Sequence, residues 1–282
     1  MKLGIVVEGG ATRAYFAVGV MDILIKEGIY PDFVVGSGQG VASALSYVSR
    51  QYGRSYKIGV HHSYRTKYSG IRHLLRPSNH CYYNLDYIFN TIPNELLPFD
   101  YDTFKESGCQ VLAAVTNVET GKAEFLPVHP DKDMDKVVLA SWAQPVWFPK
   151  VEIDGKRYMD GAFAQPIAFD KALEECDKVI VITTREKRYE KLHHRGTGLV
   201  SMLYRKYPEL VKLIKNRAEI YHSCTEQLKQ LEEEGKVFVI RPDSTIGWKR
   251  IEYNPNMIRK VYRRGYNEAK QIIQQIRNYI DE

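Results

Sequence analysis

The sequence predicts a three-layer α/β/α fold built on a mostly parallel central sheet, and three observations carry that expectation. The chain opens on a strand, a glycine turn, a helix and a second strand, a βαβ unit that calls for parallel pairing. Short β-branched apolar runs then alternate with stretches of helical periodicity. The 282 residues, 44% of them apolar, suffice to bury a full core.

Residues 3–7 are apolar and end in Glu8-Gly9-Gly10, a buried strand running into a tight turn. From Ala11, the residues Tyr15, Val18, Met21, Ile23 and Leu24 recur at helical spacing until Gly28, and a second strand follows at 33–35. Gly36 to Gly40 turns the chain into a helix over 41–52. Further strands are expected at 110–117, at 123–126 across the Glu119-Thr120-Gly121 turn, and at 151–158 folded at Asp154-Gly155. Strands at 179–183 and 237–240 complete the set. Helical patterns cover 134–143, 165–175, 207–231 and 256–280. The last places Ile258, Tyr262, Tyr266, Ala269, Ile273, Ile276 and Ile280 on one stripe, as an amphipathic helix docked on a core does, in preference to a membrane-binding or partner-binding helix. The charged run 185–195 reads as a surface loop. No repeat or linker marks a boundary, so residues 1–282 are expected to form a single domain. Its motif core lies over 3–185, and C-terminal helices with one strand follow over 186–282.

Cys81, Cys109, Cys176 and Cys224 show neither metal-ligand nor redox-pair spacing, so reduced thiols are expected, with no metal and no other cofactor. No apolar run reaches the length of about 18 residues that reads as a membrane span, and glycines interrupt the N-terminus before a signal-peptide core could form. A soluble, unprocessed, cytoplasmic chain is expected. Its 40 Lys and Arg against 34 Asp and Glu give a formal net charge of +6, and the excess is local. No acid stands between Asp32 and Asp86, where Arg50, Arg54, Lys57, Arg65, Lys67, Arg72 and Arg76 all occur. As structure this is a solvated face beyond the second helix. As function, cations interleaved with tyrosines, Arg65, Lys67 and Arg72 in particular, would make peripheral contact with an anionic membrane. No recognised nucleic-acid motif accompanies the stretch, so no nucleic-acid partner is expected. The sequence carries no signal of oligomeric state.

Three segments carry chemistry. In the turn Glu8-Gly9-Gly10-Ala11-Thr12-Arg13, unpaired N–H groups at a helix start could hold a phosphate or an oxyanion, although a plain tight turn looks the same. Gly36-Ser37-Gly38-Gln39-Gly40, between a strand and a helix, has the frame of a G-x-S-x-G nucleophile elbow, with glycine in place of the serine at position 38. Ser37 stands one position early, where the elbow would aim its hydroxyl away. Asp160-Gly161-Ala162 follows a hairpin and, taken alone, reads as a turn.

In order and spacing these segments, with Ala140-Ser141, Pro145 and Phe148-Pro149 between them, resemble the patatin-like phospholipase family over residues 3–185. Ile240-Arg241-Pro242 and Arg264-Gly265-Tyr266 extend the resemblance to its bacterial subgroup. The resemblance implies a Ser/Asp dyad acting on lipid or acyl esters, with a serine at position 38 as nucleophile and Asp160 as general base. Gly9, Gly10 and Ala11 would form the oxyanion hole, supported by Arg13, Gly36 and Gly40. Ala11 keeps the backbone donor of the family's glycine but restricts φ. With Gly38 no acyl-enzyme can form by that route, and the chain as written is expected to be nearly inert. Three explanations stand: an introduced Ser→Gly change in an active enzyme, a natural pseudoenzyme that binds lipid or acyl groups, or a shifted use of Ser37.

Overall fold

The computed structural model describes residues 1–76, 79–130, 133–189 and 197–282. The strands are β1 (Leu3–Val7), β2 (Phe33–Gly36), β3 (Gln110–Asn117), β4 (Ala123–Pro127), β5 (Val151–Ile153), β6 (Lys156–Asp160), β7 (Lys178–Ile182) and β8 (Phe238–Ile240). They form one sheet in the order β5-β6-β3-β2-β1-β7-β8, with β4 also on β3. Pairing is parallel from β3 through β2, β1 and β7 to β8. It is antiparallel where β4 and β6 join β3 and where β5 joins β6. The hairpin between β5 and β6 turns at Asp154 and Gly155, both at positive φ, as a two-residue hairpin requires.

Alternation along the buried strands divides the core in two. Leu3, Ile5 and Val7 of β1 face one way, onto α1 (Tyr15–Lys26) and α2 (Gln39–Val48). Val6 faces the other way, onto α7 (Phe169–Glu175) and α10 (Arg217–Glu233). Between these lie α3 (Arg54–His61), α4 (Ile71–Leu74), α5 (Tyr101–Glu106), α6 (Met134–Trp142), α8 (Thr197–Leu203) and α9 (Pro208–Lys215). The chain ends in α11 (Pro255–Gln271) and α12 (Ile273–Asp281). Three layers around a mostly parallel sheet are therefore present, as expected. Among the described residues no helix is long and apolar enough to cross a membrane. All four cysteines are free, and burial pushes the Cys81 and Cys109 thiols up to about 11 and about 12.

α11 packs on α1 through two glycines. A Cβ on Gly19 would stand 2.2 Å from the Tyr262 carbonyl oxygen, and one on Gly265 would stand 2.0 Å from that of Phe16. No larger residue fits either position. Asp22 on α1 ties the same corner together, accepting from the Gly53 N–H at 3.0 Å and the Tyr262 hydroxyl at 2.8 Å.

Several helices depart from the sequence pattern. The stretch 207–231 is two helices, because Asn216 ends α9 and starts α10. Likewise 256–280 breaks at Ile272 into α11 and α12. A 3-10 turn over Ala11–Ala14 precedes α1. The mostly polar residues 54–61 form a helix without a continuous apolar stripe, and Tyr87–Leu96 is a π-helix around Pro93. The acid-free stretch is not one solvated face. Arg54 turns inward, donating to the Leu97 carbonyl from Nε and Nη2 at 3.1 and 2.9 Å and lying over the Phe99 ring. Of the run 185–195, residues 190–195 lie outside the described residues.

Candidate active site

β1 and β2 run parallel and end side by side, with Val7 opposite Gly36, so the glycine turn after β1 and the elbow after β2 meet at one edge. The fit there is tight. A Cβ on Gly9 would stand 2.7 Å from the Ser37 carbonyl oxygen, and Cβ atoms on Gly36 and Gly40 would stand 2.9 and 2.5 Å from that of Val7. A Cβ on Gly10 would stand 2.6 Å from Thr184 Oγ1. These glycines are where nothing larger fits.

Gly38 is different. Its φ of +55° and ψ of −129° define a sharp elbow of the kind that strains a side chain, yet a Cβ would find its nearest contacts, the Ser141 carbonyl oxygen and Trp142 Cδ1, at 3.8 Å. The elbow retains both its bend and an open place for a side chain. Ser37, by contrast, is buried beneath it at 3% exposure, with Oγ unpartnered among the described residues and outside the cavity.

The third segment arrives through β3. β2 ends with Gly36 opposite Ala113, and β6 ends with Asp160 opposite Val115, two residues further along the same strand. The C-terminal end of α6 clasps both. Ser141 Oγ accepts from the Gly38 N–H at 2.9 Å and donates to the Ala114 carbonyl at 2.8 Å, while the Asp160 N–H donates to the Ala143 carbonyl at 2.9 Å. Asp160, itself 6% exposed, accepts from the Ala162 N–H at 2.9 Å and so caps the short turn Gly161–Phe163.

Gly9, Gly10, Ala11, Arg13, Gly38 and Asp160 all line one cavity of about 570 Å³. Gly36 and Gly40 hold the elbow from below, and Arg65, Lys67 and Arg72 lie on the surface outside the cavity, although Tyr68 of the same loop lines it. Ala11 adopts a left-handed φ of +50°, at a cost of about 1–2 kcal/mol for a residue with a Cβ. Among the described residues nothing accepts from the N–H groups of Gly9, Gly10 and Ala11. Tyr82, Tyr83, Trp142, Trp147 and Phe148 supply an aromatic wall, and no histidine is among the described lining residues. A second cavity of about 90 Å³ shares Gln39, Tyr68 and Trp142 with the first and is mostly apolar, with Leu45, Ile58, Ile88 and Phe89 around it.

The sequence reading did not anticipate the rest of the wall. Glu8 is buried, accepting from Thr184 N–H at 2.5 Å, Thr184 Oγ1 at 3.0 Å and the Tyr221 hydroxyl at 3.0 Å. Arg185, Arg217 and Arg250 reach the cavity from the end of β7, the start of α10 and the segment before α11. No sequence signal marked them: the helical pattern runs on through 207–231, and only the fold puts Arg217 at the start of α10. The Thr12 N–H donates to the Arg250 carbonyl at 3.0 Å and the Glu252 N–H to Thr12 Oγ1 at 3.0 Å, binding the C-terminal segment to the glycine turn.

Comparison with known proteins finds the following similarities. Residues 207–281 match a domain of unknown function, DUF6363. The uncharacterized protein YjjU of Escherichia coli (strain K12) is 22% identical over 187 residues, 64% of this chain and 51% of that protein, so the chain spans about half the length of this curated relative. The crystal structure of VipD from Legionella pneumophila is similar at a TM-score of 0.48 and 12% identity, covering 97% of this chain and 67% of that one. The patatin-like phospholipase profile matches residues 5–173, which takes in the glycine turn, the elbow, Ser141 and Asp160, and the chain belongs to the patatin-like phospholipase family.

Proposed function

We propose that the chain carries the site of an acyl-ester (lipid) hydrolase of the Ser/Asp-dyad type without its nucleophile, and so binds acyl esters while turning them over very slowly. Gly38 carries the reading. It combines the bend of a nucleophile elbow with room for a side chain, in the cavity lined by Asp160 and the glycine turn. With a hydroxyl at position 38, the oxygen attacks the ester carbonyl carbon and its proton passes to the Asp160 carboxylate as general base. The carbonyl oxygen, now an oxyanion, accepts from the N–H groups of Gly9, Gly10 and Ala11, with Arg13 beside them. Loss of such a nucleophile costs about a millionfold in turnover. The apolar second cavity offers room for part of an acyl chain. The experiment is hydrolysis of a short-chain acyl ester by Gly38→Ser, abolished again by Asp160→Ala.

A second reading, a non-catalytic lipid- or acyl-binding protein of the bacterial subgroup, draws on Gly38 as well, because glycine bears this φ/ψ without strain. A folded Gly38→Ser variant that binds acyl esters and leaves them intact would favour it.

In either reading residues 1–282 act as one domain, since β8 extends the sheet beside β7 and α11 covers α1. A cytoplasmic chain meeting anionic membrane at its surface fits the loop beside the cavity. There Ile71 and Leu75, 70% and 79% exposed, stand with Arg65, Lys67 and Arg72.

A further inference from the structure

The cavity wall is rich in cations. Four guanidiniums, Arg13, Arg185, Arg217 and Arg250, are brought to it by four separate segments, and the acids among the described lining residues are Glu8 and Asp160. Glu8 already accepts three hydrogen bonds from Thr184 and Tyr221. The Nε atoms of Arg13 and Arg217 are buried with no acceptor among the described residues. Both side chains are pushed down to about 10, first by burial and then by neighbouring arginines, chiefly Arg185 for Arg13 and Arg250 for Arg217, against the opposite pull of Glu8 on Arg13 and Asp160 on Arg217. They therefore stay charged at neutral pH. Burying like charges with open donors is costly unless an anion completes the arrangement.

The positions are held in place. The Arg217 guanidinium lies 4.6 Å from the Phe163 ring and that of Arg185 lies 3.8 Å from the Tyr189 ring. The backbone of Arg250 is bonded to Thr12. Four cations facing two carboxylates leave an excess matched by one dianion, and forked guanidinium donors suit the oxygens of a phosphate. Tyr82, Tyr83, Trp142, Trp147 and Phe148 line the same cavity, as do Gly38 and the glycine turn.

We infer that Arg185, Arg217 and Arg250 form a headgroup site for a phosphomonoester, so that the ligand of this cavity is an acyl ester carrying a terminal phosphate. The inference rests on the acyl-ester reading above and adds the headgroup class. An acylglycerol phosphate has the required shape: a dianionic end for the arginines, an ester beside Gly38, and a chain for the aromatic wall.

The chain as it stands is suited to the test, because without a hydroxyl at position 38 a bound ester remains intact. Trp142 and Trp147 line the cavity, so tryptophan fluorescence reports binding. Three probes are titrated below their micelle concentrations: 1-octanoylglycerol 3-phosphate, neutral 1-octanoylglycerol, and glycerol 3-phosphate. The acyl phosphate should bind at least about tenfold tighter than either of the others. Arg217→Gln and Arg250→Gln should each reduce that preference by about tenfold. Thermal melting keeps the variants interpretable: a cooperative transition in the absence of ligand shows that each is folded, so that a lost preference reports the headgroup contact. Equal affinity for charged and neutral acylglycerols, or a preference that survives both substitutions, overturns the headgroup site and leaves the acyl-ester reading standing. Binding of glycerol 3-phosphate as tight as the acylated form overturns the lipid source and assigns the arginines to a soluble phosphate ester. Failure of both acylglycerols to bind, with glycerol 3-phosphate bound, refutes the acyl-ester reading itself.

Discussion

Under the proposed dyad, serine at position 38 supplies the group that the site lacks, and the structure sets both the cost and the expected gain. Sterically the change is mild, because the nearest atoms to the new Cβ are at 3.8 Å, ordinary van der Waals contact. The cost is conformational. A residue with a side chain at φ +55° and ψ −129° is strained by about 1–3 kcal/mol, and Tm in a chain of this size falls by roughly 2–4 °C per kcal/mol. Gly38→Ser should therefore fold and melt a few degrees below the parent. The gain is turnover: with Asp160 and the glycine turn in place, hydrolysis of p-nitrophenyl butyrate should rise by several orders of magnitude, within the about millionfold that loss of a nucleophile costs. The assay compares initial rates of the parent, Gly38→Ser and the double variant Gly38→Ser/Asp160→Ala. The double variant should return to the parental rate. A Gly38→Ser protein that melts as expected yet hydrolyses no faster than the parent refutes the reasoning, as does full activity without Asp160.

Other consequences follow from the scaffold. Gly265→Ala places a methyl against the Phe16 backbone at the crossing of α1 and α11, and should cost about 1–3 kcal/mol or prevent folding, read as a lowered denaturation midpoint; an unchanged midpoint would mean that the helices can separate freely. Asp22 is buried, and burial raises its carboxyl above the usual range against the pull of Gly53 and Tyr262. Because the folded-state pKa is the higher one, its contribution is fullest below the unfolded-state pKa and is lost as pH rises through the folded value. Asp22→Asn should flatten the fall in Tm over that interval, and an identical pH profile would contradict the assignment. Charge reversal at Arg65, Lys67 and Arg72 together should weaken sedimentation with phosphatidylserine vesicles by more than about tenfold, at about 1 kcal/mol per cation. Equal sedimentation would remove this loop from the membrane contact.

What the sequence showed and what it hid divide along local and distant interactions. The eight strands were legible because β-branched runs of the right length are bounded by glycine and turn residues, as at residues 3–7 before Gly9 and at the Asp154-Gly155 hairpin. The glycine turn and the elbow frame were legible for the same reason, since each is a short motif at a strand end, whereas Asp160 alone read as a turn and was singled out only through the family resemblance. Helix breaks were not, because the apolar rhythm runs on through Asn216 and Ile272, where the helices are interrupted. Arg54 looked like one more solvated cation, yet its partners, the carbonyls of Leu97 and Pro98, are more than forty positions away. The arginine wall was hidden most fully. Arg185, Arg217 and Arg250 belong to no common motif and meet Arg13 only because β7 lies beside β1 and the C-terminal segment is bonded across the glycine turn. Ser141 was visible as part of a motif, but its task of pinning the Gly38 N–H is seen only in the fold.

The central claim is that position 38 is a nucleophile position facing a working oxyanion site. Covalent labelling by a serine-reactive fluorophosphonate, mapped by mass spectrometry, tests it most directly. The account predicts that the parent chain is unlabelled and that Gly38→Ser is labelled on the peptide containing position 38, and nowhere else at comparable rate. Labelling of the parent at Ser37, or a folded Gly38→Ser protein that the probe leaves unmodified, would contradict it.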